Sequence, residues 1–289
     1  MVRHAVRIAA IVFLTALIMV YPFLPGQYDV LAFPLSTIVQ LLGTVGLLLV
    51  PLGALWLVYE LRKRVRRNRN LPITNREYYF AVISLIAAAL LFILISLFAS
   101  FGIGISFGVL TFILWLYAIS RLIPVLKLMK KGETENINPT PFYLIFVPLI
   151  ILLFQLTLAA PLTEFSRNRA IANSNEFISD IEAYHDEYGH YPVSLVAMWK
   201  DYYPDVVGVE KYHYLPYGQS YNLFFEQPRF LLDNIGTREW VVYNPDDEQR
   251  MYSHTAWFLL LTPEELDRSQ GWYDVHDAGS PHWKHFWFD

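Results

Sequence analysis

Seven of the eight histidines fall after position 163, and five residues able to bind a metal crowd the C-terminal end: Asp274, His276, Asp277, His282 and His285. Imidazole nitrogens and carboxylate oxygens are donors that a divalent cation accepts, so these five are the candidate metal ligands. Their spacing matches no recognised metal site. Trp283, Phe286, Trp287 and Phe288 are interleaved with them, as in a packed or membrane-touching C-terminal tail. His185 and His190 stand five apart, which on a helix rotates them by about 140°, whereas zinc-binding histidines four apart share a face. With no cysteine, the chain has no thiolate site, disulfide or lipoprotein acylation site. No nucleophile-elbow glycine pattern and no phosphate-binding glycine loop occurs, so no hydrolase, nucleotide-binding or cofactor assignment follows. Aromatic residues are the other chemistry on offer. Tyr184, Tyr191, Tyr221 and Trp272 are the candidate binding residues, because such rings stack on sugars or anchor protein contacts.

Something must hold these groups, and the first half of the chain says what. Five apolar runs, 8–24, 37–59, 79–98, 104–123 and 142–160, hold a single charged side chain between them, Arg121 near the end of the fourth, and approach the roughly 20 residues needed to cross a bilayer. The fifth holds thirteen Leu, Ile, Val or Phe residues. At about −0.3 to −0.6 kcal/mol each, its insertion gains roughly 4 to 8 kcal/mol before polar corrections. A basic N-terminus ahead of an apolar run also resembles a secretory signal, but the bulky Tyr21, Pro22, Phe23, Leu24 and Pro25 offer no small-residue cleavage site, so an uncleaved first span is expected. Apart from Arg121 near the end of the fourth, only Gln40, Gln155 and scattered Ser and Thr interrupt the spans, which gives an ion path no charged group in their interior to use. Gly43, Gly46, Pro51 and Gly53 are read as bending or tightly packing the second span. Gly102, Gly104 and Gly108 would let the third and fourth approach closely.

Orientation follows from charge. Basic residues resist translocation, and all thirteen that precede position 163 lie in the N-tail, the second-to-third loop (Arg62 to Arg76) or the fourth-to-fifth loop (Arg121 to Lys131). The two opposite loops carry none. An odd number of spans then places the N-terminus in the cytoplasm and residues 163–289 outside it. The cluster from Arg62 to Arg69 is read as fixing topology, although it could also bind anionic headgroups or nucleic acid. The outer part carries nine basic against 21 acidic residues, a balance that disfavours nucleic acid as its ligand.

The outer part begins by continuing the fifth helix. Phe165, Ile171, Phe177, Ile178, Ile181 and Tyr184 recur at mostly three- and four-residue intervals through Tyr188. Gly189 supplies a left-handed stop and Pro192 confirms it. A short second helix is expected at 194–200. Strands are expected at 212–215, 221–226, 239–244 and 250–253, with a hairpin turn at Pro245, Asp246 and Asp247.

The stretch from Ile181 to Leu195 resembles the helix end of pilin-like proteins, especially the major pseudopilin of type II secretion systems. In that family a long helix ends in a Tyr-x-x-x-x-Gly-x-Tyr-Pro pattern before a β-meander. Tyr184, Gly189, Tyr191 and Pro192 match the pattern, and Gly218 and Tyr221 look like the residues entering the next hairpin. The likeness covers about residues 142–253. Departures limit what it carries. Lys130, Lys131 and Gly132 imitate a prepilin leader, but polar residues 133–141 follow, and the fifth span has no acidic residue. The resemblance therefore implies a pilin-like domain held permanently in the membrane, rather than a processed filament subunit.

The fold expected is an all-α membrane part of five helices, residues 1–162, plus an extracytoplasmic α+β pilin-like domain, residues 163–289, with an aromatic, His-rich tail. The function expected is that of a non-enzymatic scaffold or accessory protein in a bacterial inner membrane. Its partners would be the lipid bilayer and other envelope membrane proteins. An envelope sensor or glycan-binding protein is the alternative, a metal-dependent envelope enzyme ranks third and a transporter last.

Overall fold

The apolar runs become helices because a backbone without water must bond to itself. A computed structural model describes residues 2–72, 76–102, 104–131, 138–233, 238–249, 251–253, 256–261 and 274–288. Its helices are α1 (Val2–Val20), α2 (Ala32–Gly46), α3 (Val50–Asn68), α4 (Glu77–Gly102), α5 (Ile105–Lys131), α6 (Thr140–Asn173) and α7 (Asn175–Tyr188). Among the described residues, five helical runs are long and apolar enough to cross a membrane, α2 with α3 forming one of them and α6 with α7 another. That pattern fits a multi-pass membrane protein. Between α2 and α3 the ladder tightens into a single turn, Leu47–Leu49, just before Pro51, which has no N–H to give to the residue four back.

The chain forms two compact units. The first comprises Met1–Met19 and Pro34–Leu156. Small residues set its helix contacts, since a side chain at Gly43 would fall 2.1 Å from Ile151, and one at Gly108 would fall 1.7 Å from Ser100 Oγ. Phe92 of α4 stacks on Trp115 of α5 at 4.3 Å. While Ser84 Oγ, Ser96 Oγ and Gln155 Oε1 find no partner among the described residues, several buried polar groups pair: Ser36 Oγ donates to the Met19 carbonyl (3.1 Å), Gln40 Nε2 to Ser36 Oγ (2.9 Å) and Gln155 Nε2 to Thr44 Oγ1 (3.1 Å). In an apolar surrounding each of these left unmade would cost several kcal/mol, about 2 or more.

The second unit comprises Val20–Phe33 and Thr157–Asp289. Helix α7 stops at Gly189, whose φ of +72° is a left-handed cap that a side chain would strain, and whose N–H reaches the His185 carbonyl at 2.8 Å. One residue, Ser174, separates α6 from α7. Its N–H is shared between the Ala170 and Ile171 carbonyls, and its Oγ donates to the Ile171 carbonyl at 2.7 Å, the local competition that loosens a helix at serine.

Among the described residues seven strands follow: β1 (His213–Tyr217), β2 (Ser220–Gln227), β3 (Arg238–Tyr243), β4 (Met251–Ser253), β5 (Ala256–Leu261), β6 (Asp274–Asp277) and β7 (Trp283–Phe288). Five form an antiparallel sheet in the order β1-β2-β3-β7-β6, while β4 and β5 pair separately. The strand expected at 250–253 thus pairs outside the main sheet. The turn at Pro245, Asp246 and Asp247 is no hairpin within that sheet, because β3 lies between β2 and β7. Asn244 explains the turn, accepting the backbone N–H of Asp246 and of Glu248 on Oδ1, both at 2.9 Å. The short helix expected at 194–200 is a single tight turn, Leu195–Met198.

The core lies between one face of the sheet and the helices. Ala170, Ile171, Phe177 and Ile181 on α6 and α7 meet Tyr221, Leu223 and Phe225 of β2, Val241 of β3 and Trp283 of β7. Three- and four-residue spacing on the helices and two-residue spacing on the strands bring these faces together. Each fully buried aliphatic or aromatic side chain contributes about 2 kcal/mol.

The loop after α1 joins this unit as an edge segment. Val207 donates to the Leu24 carbonyl (3.0 Å), Asp29 to the Val207 carbonyl (3.0 Å) and Gly26 to the Asp205 carbonyl (3.2 Å). Phe23 stacks on Phe230 at 4.9 Å. Gly208 donates to the Pro22 carbonyl at 2.7 Å, and a side chain there would sit 2.6 Å from that oxygen. Such closeness requires glycine.

Candidate functional site

Antiparallel pairing sets His276 of β6 opposite His285 of β7, with ring centres 5.1 Å apart. The other candidate ligands go elsewhere. Asp277, one residue on, faces the opposite side of the sheet, and its Oδ1 accepts the Gly279 N–H at 2.8 Å. His282 sits in the β6–β7 turn, its Nδ1 3.1 Å from Asp247 Oδ2. Asp274 lies on β6 opposite Trp287, and its side chain falls outside the described residues. Among the described residues no group of three or more His, Asp or Glu is arranged to hold a metal.

The tyrosines form a clamp. Tyr221 Oη donates to Glu182 Oε1 at 2.9 Å and Tyr191 Oη to Glu182 Oε2 at 3.4 Å, and their rings meet edge to face at 4.9 Å. Burial, assisted by Glu182, pushes the Tyr191 hydroxyl up to about 12 and raises that of Tyr221 further, so both remain donors. Tyr221 is fully buried and therefore no platform for a ligand. Tyr184 packs instead on Tyr188 at 4.5 Å and against His190. Trp272 lies outside the described residues.

The exposed chemistry lies just beyond the clamp. Val193, Val196, Trp199 and Tyr203 are 83%, 74%, 91% and 69% exposed, within one segment of chain. The frame beneath them is fixed. Tyr202 stacks on buried Phe177 at 4.0 Å and donates to Asp180 Oδ2 at 2.6 Å. Lys200 bonds Glu176 and Asp180 Oδ2, the latter at 3.0 Å. Asn173 Nδ2 donates to the Pro204 carbonyl at 2.7 Å. The Tyr202 hydroxyl holds the Asp180 carboxyl below its ordinary value, and Glu176 with Asp180 raises the Lys200 ammonium. Trp199 itself has φ +50°, a conformation that a bulky residue rarely adopts. Alongside runs a groove of about 470 Å³ lined by Phe177, Trp199, Lys200, Tyr202, Glu210 and Tyr212.

Two polar clusters stand outside the sequence-based candidates. In the first unit, Glu60 accepts from Trp56 Nε1 (3.1 Å) and the Asn138 N–H (3.3 Å), and Lys63 bonds Glu77 Oε1 at 2.7 Å; both carboxylates are buried. They sit immediately outside the spans expected at 37–59 and 79–98. In the second unit, Gln227, Glu239 and Trp287 form a rung across β2, β3 and β7 on the core face. Arg167 of α6 donates to Glu239 Oε1 at 3.0 Å, Arg229 Nε lies 3.2 Å from Oε2, and His285 Nδ1 lies 3.1 Å from Oε1. The Arg229 guanidinium covers the Trp287 ring at 3.9 Å. A signal was present: Glu239 falls in step with Val241 and Tyr243, so alternation puts a carboxylate on the core side. Comparison with protein-family models, curated proteins and solved structures returns no match.

Proposed function

We propose that this chain is an envelope membrane scaffold or accessory protein, whose outer domain contacts other membrane or envelope proteins through the surface made by Val193, Val196, Trp199 and Tyr203. The carrying observation is four large apolar side chains exposed within one segment, three of which, Val196, Trp199 and Tyr203, line one groove above the Lys200, Asp180 and Tyr202 contacts. Exposed tryptophan and tyrosine on a rigid base suit a protein hot spot, since little rotamer entropy is lost on binding. Height argues against lipid as the occupant. Lys200 and Tyr202 are anchored to Glu176 and Asp180, which lie 16 and 20 residues beyond Ala160, about 24 to 30 Å of helix.

Topology supports the reading. The loop Val20–Phe33 and residues from Thr157 onward belong to one unit, as two segments leaving the same membrane face would. Neither Val20–Phe33 nor the turn near Ser100 carries Lys or Arg, so that face is taken as extracytoplasmic, in a bacterial inner membrane with the N-terminus in the cytoplasm. A long helix running into an antiparallel sheet supports a pilin-like domain; the insertion of β7 beside β3 is a departure from a simple meander. A second reading, a sensor or glycan-binding protein, draws on the aromatic groove beside Trp199.

Quantitative co-isolation from native membranes tests the proposal, comparing the wild-type protein with Trp199→Ala. A hot-spot tryptophan contributes about 2 kcal/mol or more, so specific partners should bind roughly thirtyfold more weakly to the variant. An unchanged set of co-isolated proteins, with the variant folded, rejects this surface as the contact.

A further inference from the structure

The Glu239 cluster is unbalanced. Two guanidiniums, Arg167 and Arg229, share one carboxylate in direct ion pairs, Asp233 acting on Arg229 only from farther off, and their side chains are only 14% and 5% exposed. Among the described residues, Arg229 Nη1, Arg167 Nε, Trp287 Nε1 and the Thr163 hydroxyl have no hydrogen-bond partner, against one unpartnered acceptor, Gln227 Oε1. Gln227 brings Thr163 into the group, its Nε2 donating to the Thr163 carbonyl (3.3 Å) and to Ser166 Oγ (2.7 Å). A buried cation in excess and donors without acceptors both ask for an anion, because each unmet group forfeits its hydration. The cluster is not sealed, since Arg167 and Trp287 are partly accessible and His276 beside His285 is exposed.

We propose that Arg167, Arg229 and Trp287 form a binding site for an oxyanion of the phosphate type. Guanidinium forks match phosphate oxygens in geometry and charge, and an indole N–H adds a directed donor. The position suggests where such a group comes from. Thr163 and Arg167 lie three and seven residues past the fifth span's Ala160, about 5 to 10 Å of helix, which is headgroup depth. Arg229 precedes Phe230, which stacks on Phe23 of the loop between the first two spans. The same chemistry takes a phospholipid headgroup or free phosphate.

The test is thermal unfolding of the full-length protein in non-ionic detergent. Inorganic phosphate and, separately, a short-chain phosphatidylglycerol are titrated against chloride of equal ionic strength, with native mass spectrometry reporting retained phospholipid. A ligand of the folded state raises the transition temperature saturably. Trp287→Phe keeps the ring under Arg229 and removes one donor to a charged acceptor, so apparent affinity should fall about tenfold. Arg229→Gln should abolish the response. A shift with phosphate identifies a free oxyanion. A shift with lipid alone, or retained phospholipid lost in Trp287→Phe, identifies a headgroup. No saturable shift with no retained phospholipid overturns the proposal, as does a shift undiminished in both variants.

Discussion

Replacing Glu239 by Gln removes the one carboxylate between Arg167 and Arg229 while keeping its shape. The side chain is 1% exposed, with Arg167 Nη1 at 3.0 Å and Arg229 Nε at 3.2 Å. Breaking a buried pair from one side costs about 3 to 5 kcal/mol, because the remaining charge stays desolvated. Here two charges remain, and the amide oxygen retains one acceptor, so a loss of about 3 kcal/mol is expected. For a domain of this size each kcal/mol shifts the midpoint by about 2 to 4 °C, giving a drop of roughly 6 to 12 °C in thermal unfolding of the purified full-length protein. The double variant Glu239→Gln with Arg229→Gln should be more stable than the sum of the two single losses implies, because the second change removes a charge the first left unpaired. A drop worth under about 1 kcal/mol, the scale of exposed ion pairs, would refute the reasoning.

Tyr221→Phe deletes a buried donor to Glu182 at 2.9 Å; denaturant unfolding should show a loss of about 1.5 to 3 kcal/mol. Burial holds the His213 imidazole, stacked on Phe224 at 5.1 Å, below its ordinary value. The unfolded chain therefore takes up its proton first, so stability is full above about 6.5 and falls as the pH drops below that value. His213→Phe should flatten that part of the stability-against-pH curve, and an unchanged slope would count against the assignment. Glu77→Gln takes the carboxylate from Lys63, 13% exposed, but also relieves the repulsion on Glu60, which hydrogen-bonds Glu77, so full-length protein in detergent should lose about 1 to 2 kcal/mol by its thermal midpoint.

The apolar helices were legible because their length and lack of charge admit few alternatives, and the Gly189 cap because only a left-handed residue ends a helix that way. The first three strands followed from runs rich in Tyr, Val and Phe bounded by Pro, Gly, Asn and Asp. What escaped were pairings set by distant segments. Nothing local in Val20–Phe33 says that Pro22, Leu24 and Asp29 bond to residues 207 and 208, and nothing in β7 says that it enters beside β3. Among Asp274, His276, Asp277, His282 and His285, strand alternation and a turn, which spacing alone does not reveal, separate Asp277 and His282 from the His276–His285 pair. Tyr191 and Tyr221 stand separately among the candidate binding residues, and only the fold shows that their shared acceptor, Glu182, makes them a clamp. The exposed Trp199 could not be told from a core tryptophan, since burial is decided by what packs on top.

The central claim is most directly tested by a photo-crosslinking residue placed at Val196 in native membranes, with exposed Glu187 of α7 as the control position. Discrete protein adducts are expected at Val196, absent at Glu187 and weakened by Trp199→Ala. Adducts to lipid alone, or none above the Glu187 level with the protein folded and expressed, would contradict that claim.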